Sequence, residues 1–126
     1  MKASELRIGN LVDLGNRIAK ISEIYHKACT VLDLEETQDT IEDYERTKPI
    51  PLTEEWLLKF GFTLYNKENP IMFKGVVFIE QRQKTLIGTQ FFTFHFDGNT
   101  IKIQYVHQLQ NLYFVLTNEE LNLKSE

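Results

Sequence analysis

Residues 91 to 105 constrain this chain more than any other segment. Phe92, Phe94 and Phe96 alternate with Thr93, His95 and Asp97; beyond Gly98-Asn99, Ile101, Ile103 and Tyr105 alternate with Lys102 and Gln104. Side chains on a strand point to opposite faces in turn, so a period of two makes one apolar face and one polar face. The segment is predicted to be a β-hairpin whose Phe-bearing face must be covered. Two tight turns fit it. An Asp97-Gly98 turn pairs Phe94 with Ile101, and a Gly98-Asn99 turn pairs Phe96 with Ile101. The two registers differ by two residues, so both keep the apolar face intact and the pattern leaves the choice open.

A covered sheet face needs a second layer, and two helices are expected to supply it. Thr53 is a good N-cap, and Glu54 and Glu55 set negative charge against the dipole in the first turn. Leu52 and Leu57 stand at the two positions of a hydrophobic staple, Lys59 lies in the last turn, and Gly61 can close the helix in the left-handed conformation. The second helix is expected from about His107 to Leu116, where Leu109, Leu112, Tyr113 and Leu116 fall at helical spacing. Tyr113, Phe114 and Val115 widen its apolar arc beyond one face, which leaves room for self-association through this C-terminal helix. Asn118 can stop it. Thr117 with Glu120, and Leu116 with Leu121, repeat the capping-box and staple pattern, so a further short helical turn is expected there.

The N-terminal third reads as short strands. Gly15-Asn16 is a turn signal between Val12-Asp13-Leu14 and the next apolar run. Ile18, Ile21 and Ile24 have a spacing that suits a helix as well as a strand. Their β-branching and the turn just before them decide for a strand. Residues 30 to 34 make a third. Such strands bury one face by forming a small β-barrel or meander, SH3-like in size. Pro49 and Pro51 stiffen residues 47 to 53 into an extended connector. The fold class expected is therefore α+β. A β-rich, small-barrel-like lobe over 1–47 precedes an α+β lobe over 48–126 with an antiparallel sheet and two short helices, or the two form one compact domain. Phe62 to Glu80 reads as strands broken at Asn66 to Pro70, and Gln81 to Gly88 as a polar loop.

Charge is unevenly placed. Residues 33 to 45 hold Asp33, Glu35, Glu36, Asp39, Glu42, Asp43 and Glu45 without Lys or Arg; this window carries −7 in a chain of net charge −4, and the remainder carries +3. Such a run is a solvated loop or strand edge, or a patch for a basic partner. No basic stripe of the kind nucleic-acid binders show is visible in linear order. The single cysteine, Cys29, cannot form an internal disulfide. The first residues are charged, and runs such as Val76 to Ile79 are too short to cross a bilayer, so a cytoplasmic location with no membrane contact is expected.

The candidate chemistry is sparse. His26 and Cys29 are three apart, but a zinc site needs about four ligands and no second Cys exists, so neither a metal nor a cofactor is expected. His95 shares the polar hairpin face with Thr93 and Asp97, opposite Lys102 or Gln104. A His beside a carboxylate can act as a general base. Alternating polar residues are equally what any solvent-facing strand shows, and no Ser or Cys stands in a nucleophile-elbow context. The six glycines form no phosphate-binding loop. No catalytic, cofactor-binding or metal-binding residue is assigned. The Phe92, Phe94 and Phe96 stripe could stack single-stranded bases or pack beneath the helices; the second helix needs such a surface.

Three blocks of the chain resemble one family. They are Glu5 to Val12 (ELRIGNLV), Pro49 to Phe62 (PIPLTEEWLLKFGF) and Val106 to Phe114 (VHQLQNLYF). Together they look like a group of short uncharacterised proteins of Bacteroides-type gut bacteria and of their phages and prophages. The resemblance implies a mobile-element setting and no activity. The leading reading is a non-catalytic accessory protein that binds another protein. The alternatives are a nucleic-acid-binding small barrel using Arg7, Arg17, Lys20 and Lys27, and an enzyme using His95 and Asp97.

Overall fold

The computed structural model describes residues 1–34, 38–65, 71–82, 91–96 and 98–123. The fold is α+β, and the described residues form two antiparallel sheets of four and five strands and two α-helices. The chain divides into two compact units: Met1–Ile50 with Tyr105–Asn111, and Pro51–Gln104 with Leu112–Glu126.

The first unit is built on a meander, β1 (Leu11–Asp13), β2 (Ile18–Ile24), β3 (Ala28–Asp33) and β4 (Asp39–Asp43), paired in that order. Gly15, at φ +96°, makes the predicted turn between β1 and β2. Val12, Ala19, Ile21, Cys29 and Val31 are buried with Leu6, and Met1, Leu14, Ile24 and Tyr44 pack against them. The spacing of Ile21 and Ile24, ambiguous in sequence, has a structural cause. Ile21 pairs with Val31 and Glu23 with Thr30, so Ser22 is the extra residue of a bulge. A bulge shifts the side-chain alternation by one, which returns Ile24 to the core side after three residues instead of two. After β4, a 3₁₀ turn at Tyr44–Arg46 leads to Lys48, which bridges Asp13 on β1. Among the described residues this is a meander with one bridge across its ends, not a closed barrel. Of the acidic window, Asp39, Glu42 and Asp43 lie on β4 and Glu45 in the 3₁₀ turn; Glu35 and Glu36 lie outside the described residues.

The second unit carries α1 (Glu54–Lys59), then β5 (Thr63–Leu64), β6 (Ile71–Lys74), β7 (Val77–Arg82), β8 (Phe91–Phe96) and β9 (Asn99–Ile103), paired in sequence order. The helix starts and stops where its residue types require. Thr53 Oγ1 accepts from the Trp56 N–H at 3.3 Å. At the other end Gly61 takes φ +93°, and the Gly61 and Phe62 N–H groups donate to the Leu58 and Leu57 carbonyls. That pair of bonds is the Schellman arrangement, and it satisfies carbonyls the helix leaves open. Leu52 and Leu57 are both buried, as a staple requires.

The hairpin register is Phe94↔Ile101 and Phe96↔Asn99, the first of the two registers expected; Asp97 lies outside the described residues. Phe92 and Phe94 are buried together with Met72, Val77, Ile79 and Ile103. The Phe-bearing face is therefore core, and the base-stacking reading of Phe92 and Phe94 is corrected; the Phe96 side chain lies outside the described set. Gln81 and Arg82 extend β7 where a loop was expected, because they pair with Phe92 and Phe91. Residues 83–88, and the expected break at 66–70, lie outside the described residues.

The second helix, α2 (Val106–Thr117), is continuous. Its first residues, to Asn111, belong to the first unit and the rest to the second. The buried residues are Val106, His107, Leu109, Gln110 and Tyr113, whereas Leu112 and Leu116 are only half-buried. The buried stripe thus lies further towards the N-terminus of the helix than the leucines alone suggest, and it includes two polar side chains. Asn118 ends the helix at φ +60°. The second helical turn predicted after Thr117 is absent among the described residues. The Thr117 hydroxyl donates to the Tyr113 carbonyl and accepts from the Glu119 N–H, which closes α2 instead of opening a new helix.

Candidate functional site

Alternation on the five-stranded sheet turns one set of side chains away from this core, Thr93 among them although it is buried, and the register assembles the set in two rows. Thr63, Phe73 and Phe78 share the first row, and because Ile79 pairs with Phe94, His95 and then Thr100 continue it. Ile71, Glu80, Thr93 and Lys102 form the second, with Tyr65 beside Ile71 through the Tyr65 N–H bond to the Ile71 carbonyl.

The β5–β7 end of this face is aromatic. Phe73 and Phe78 are near-parallel, at 23° with centroids 5.6 Å apart, and Tyr65 stands edge-on to both at 6.1 and 6.4 Å. Two of the three rings face water, Tyr65 at 59% and Phe78 at 45% exposed, while Phe73 is half-buried; Val76, at the tip of the adjoining hairpin, is 78% exposed. That hairpin is tight because Gly75 takes φ +59° in the two-residue turn between Lys74 and Val77. A clustered, exposed apolar patch is uncommon on a soluble protein surface and marks an interaction site more often than scattered leucines do.

The β8–β9 end is polar. His95 Nε2 lies 2.8 Å from Glu80 Oε2. A carboxylate only accepts, so Nε2 carries the proton in this pair, and in the neutral ring Nδ1 accepts from the Thr100 hydroxyl 3.4 Å away. Thr93 Oγ1 also lies 3.4 Å from Nε2. The carboxylate partner is thus Glu80 on the neighbouring strand; Asp97, the partner expected from sequence, lies outside the described residues. Carboxylate, imidazole and hydroxyl stand in the order of a proton relay, yet the His95 side chain is 51% exposed. In water the field of such a group is screened, which weakens it as a relay.

The other candidates are dispersed. His26 is exposed and Cys29 is fully buried, so the two do not converge. No group of three or more His, Cys, Asp or Glu able to hold a metal occurs among the described residues. Burial pushes the Cys29 thiol pKa up, and the Glu42 carboxylate adds to this. Of the basic residues, Arg7 and Arg17 are engaged within the first unit: Arg7 Nη1 donates to Asn111 Oδ1 at 2.8 Å, and Arg17 Nη2 to Thr40 Oγ1 at 3.0 Å. No helix among the described residues is long and apolar enough to cross a membrane.

Sequence reasoning missed a buried polar cluster. The Gln110 side chain, in the core face of α2, donates from Nε2 to the Gly9 carbonyl and accepts at Oε1 from the Leu11 N–H. Its amide occupies the place of a neighbouring strand beside β1. Asn111 Oδ1 accepts from Asn10 Nδ2 and from Arg7, and Asn111 Nδ2 donates to the Glu5 carbonyl. The usable signal was a Gln between Leu109 and Tyr113, at a position where the helical pattern calls for an apolar residue. The chain matches no family model, no curated protein and no solved structure.

Proposed function

We propose that this chain is a non-catalytic accessory protein that binds another protein through the outward face of its five-stranded sheet, in the bacterial or phage mobile-element setting that its sequence blocks suggest. The observation that carries this reading is the ring cluster in which exposed Tyr65 and Phe78 pack on half-buried Phe73, beside exposed Val76. Aromatic side chains bury much area on association and lose little conformational freedom, so they anchor protein interfaces. We also read the first unit as a small SH3-like barrel. Support comes from the strand order, the 3₁₀ turn at Tyr44–Arg46 and the Asp13–Lys48 bridge.

The nucleic-acid alternative gains less. Phe92 and Phe94 of the stripe that would stack bases are buried, and Arg7 and Arg17, two of the four cationic residues invoked, are spent on internal hydrogen bonds. The test compares wild type with the double variant Tyr65→Ser/Phe78→Ser, after circular dichroism has established that both fold. Light scattering gives the mass of each, and each is used to retain proteins from bacterial lysate. A species retained by wild type and lost with the double variant supports the reading. A strictly monomeric wild type that retains no protein refutes it, and salt-dependent retention of DNA or RNA moves the assignment to nucleic acid.

A further inference from the structure

His107 has no part in the sheet face. It lies one turn before Gln110 and Asn111 on α2, it is buried, and its Nδ1 has no hydrogen-bond partner among the described residues. Its ring stacks on Tyr105 with centroids 5.9 Å apart at 13°. A neutral imidazole tolerates an unpaired Nδ1 at modest cost, because only one of its two nitrogens carries hydrogen. In the cation both nitrogens are donors, so protonation would leave a charged, buried N–H with nothing to donate to. The segment that would bear this penalty buries Val106 and Leu109 and is also tied to the N-terminal residues by polar bonds. They run from Gln110 to Gly9 and Leu11, and from Asn111 to Asn10, Arg7 and Glu5.

We propose that His107 is an acid-sensitive latch: neutral, it lets residues 105–111 dock on the four-stranded unit, and on taking a second proton it releases them and uncovers the outer edge of β1 at Gly9–Leu11. Burial and two charged groups set its balance. Burial disfavours the cation most, the Glu5 carboxylate on the N-terminal 3₁₀ turn favours it, and the Met1 ammonium opposes it; the net result is a pKa below the ordinary 6.5. The Met1 ammonium is fixed by bonds to the Tyr44 and Thr47 carbonyls, and Glu5 accepts from the Lys2 N–H, so neither is free to move onto the ring without breaking a contact. With the folded pKa lowered, docking is at full strength above pH 6.5 and weakens as pH falls towards the folded value.

The Leu11 amide is the reporter, because its N–H bonds to the Gln110 side chain and is exposed on release. Native-state hydrogen exchange between pH 7.5 and 5, corrected for intrinsic rates, measures its protection. In wild type the protection should fall below pH 6.5 by a factor approaching, and never exceeding, about tenfold per pH unit, the limit for one proton. Amides of β7 and β8 should hold theirs, and His107→Phe, which keeps a ring against Tyr105, should abolish the pH dependence. Protection that is flat in wild type, falls equally in the variant, or falls in step with β7 and β8 overturns the latch. Should His107→Phe not fold, NMR titration of the wild-type ring decides: a midpoint below 6.5 upholds the proposal, and one at or above it overturns it.

Discussion

Replacing Gln110 with Met is the sharpest test of how the first unit is held together. The two side chains have similar length and volume, so Gln110→Met opens no large cavity. On a simple hydrophobicity argument the change should stabilise, since it removes an amide from a position only 1% exposed. The geometry argues the reverse. The amide donates to the Gly9 carbonyl at 3.1 Å and accepts from the Leu11 N–H at 2.9 Å, and a thioether does neither usefully. Leu11 is buried and its N–H faces away from β2, so it has no strand to turn to. Leaving a buried backbone group unpaired costs about 1–3 kcal/mol; the Leu11 N–H is orphaned in full and the part-buried Gly9 carbonyl in part. Allowing for partial relaxation, we expect a loss of about 2–4 kcal/mol, a large share of the roughly 5–15 kcal/mol that holds a domain folded. With a urea slope of about 1–3 kcal/mol/M, a loss near 3 kcal/mol lowers the midpoint by about 1–3 M, read by far-UV circular dichroism. Gln110→Glu should do at least as badly at neutral pH, because a carboxylate cannot donate to Gly9 and carries charge into the core. A Gln110→Met chain as stable as wild type would sink the argument that this amide completes the edge of β1.

The helix ends and the lone thiol give further predictions. Thr53→Ala removes the acceptor for the Trp56 N–H and should cost about 1 kcal/mol in chemical unfolding. Gly61→Ala places a Cβ on a residue at φ +93° and should cost about 1–2 kcal/mol by the same assay, whatever the space around it. Cys29 is fully buried with its thiol pKa raised, so a maleimide should label it only as fast as the first unit opens, and at once in denaturant. Rapid labelling of the native chain would contradict the burial.

Local chemistry made several elements legible in the sequence. Thr53, Glu54, Glu55 and Gly61 specify both ends of α1 because capping depends on near neighbours alone. The period of two at residues 91 to 105 specified a hairpin and the face it buries, since alternation follows from strand geometry and needs no partner. It could not choose between turns, because registers two residues apart bury the same side chains. The structure decided that by pairing Phe94 with Ile101. The bulge at Ser22 was illegible for a related reason: an extra residue in β2 is defined only against β3. Pattern reading also expected a second short helical turn to begin at Thr117, where the Thr117 side chain turns back to cap α2 instead.

The candidate sites divide in the same way. His95 on the polar hairpin face followed from alternation, but its carboxylate is Glu80, fifteen residues earlier, brought alongside by the β7–β8 register. Tyr65, Phe73 and Phe78 are ordinary residues of three short strands in sequence, and only their pairing makes them one cluster. Gln110 and His107 sit in a helical pattern that composition would fill with apolar residues. Whether a buried polar group is a fault or a fastening depends on which backbone groups it meets, and those lie about a hundred residues away. The sequence alone therefore determined the α+β class, the hairpin face and the ends of α1, all set within a few residues. The outward sheet face, the clamp on β1 and the unpaired His107 nitrogen were decided by tertiary structure, because each is a relation between strands and helices that the chain order keeps apart.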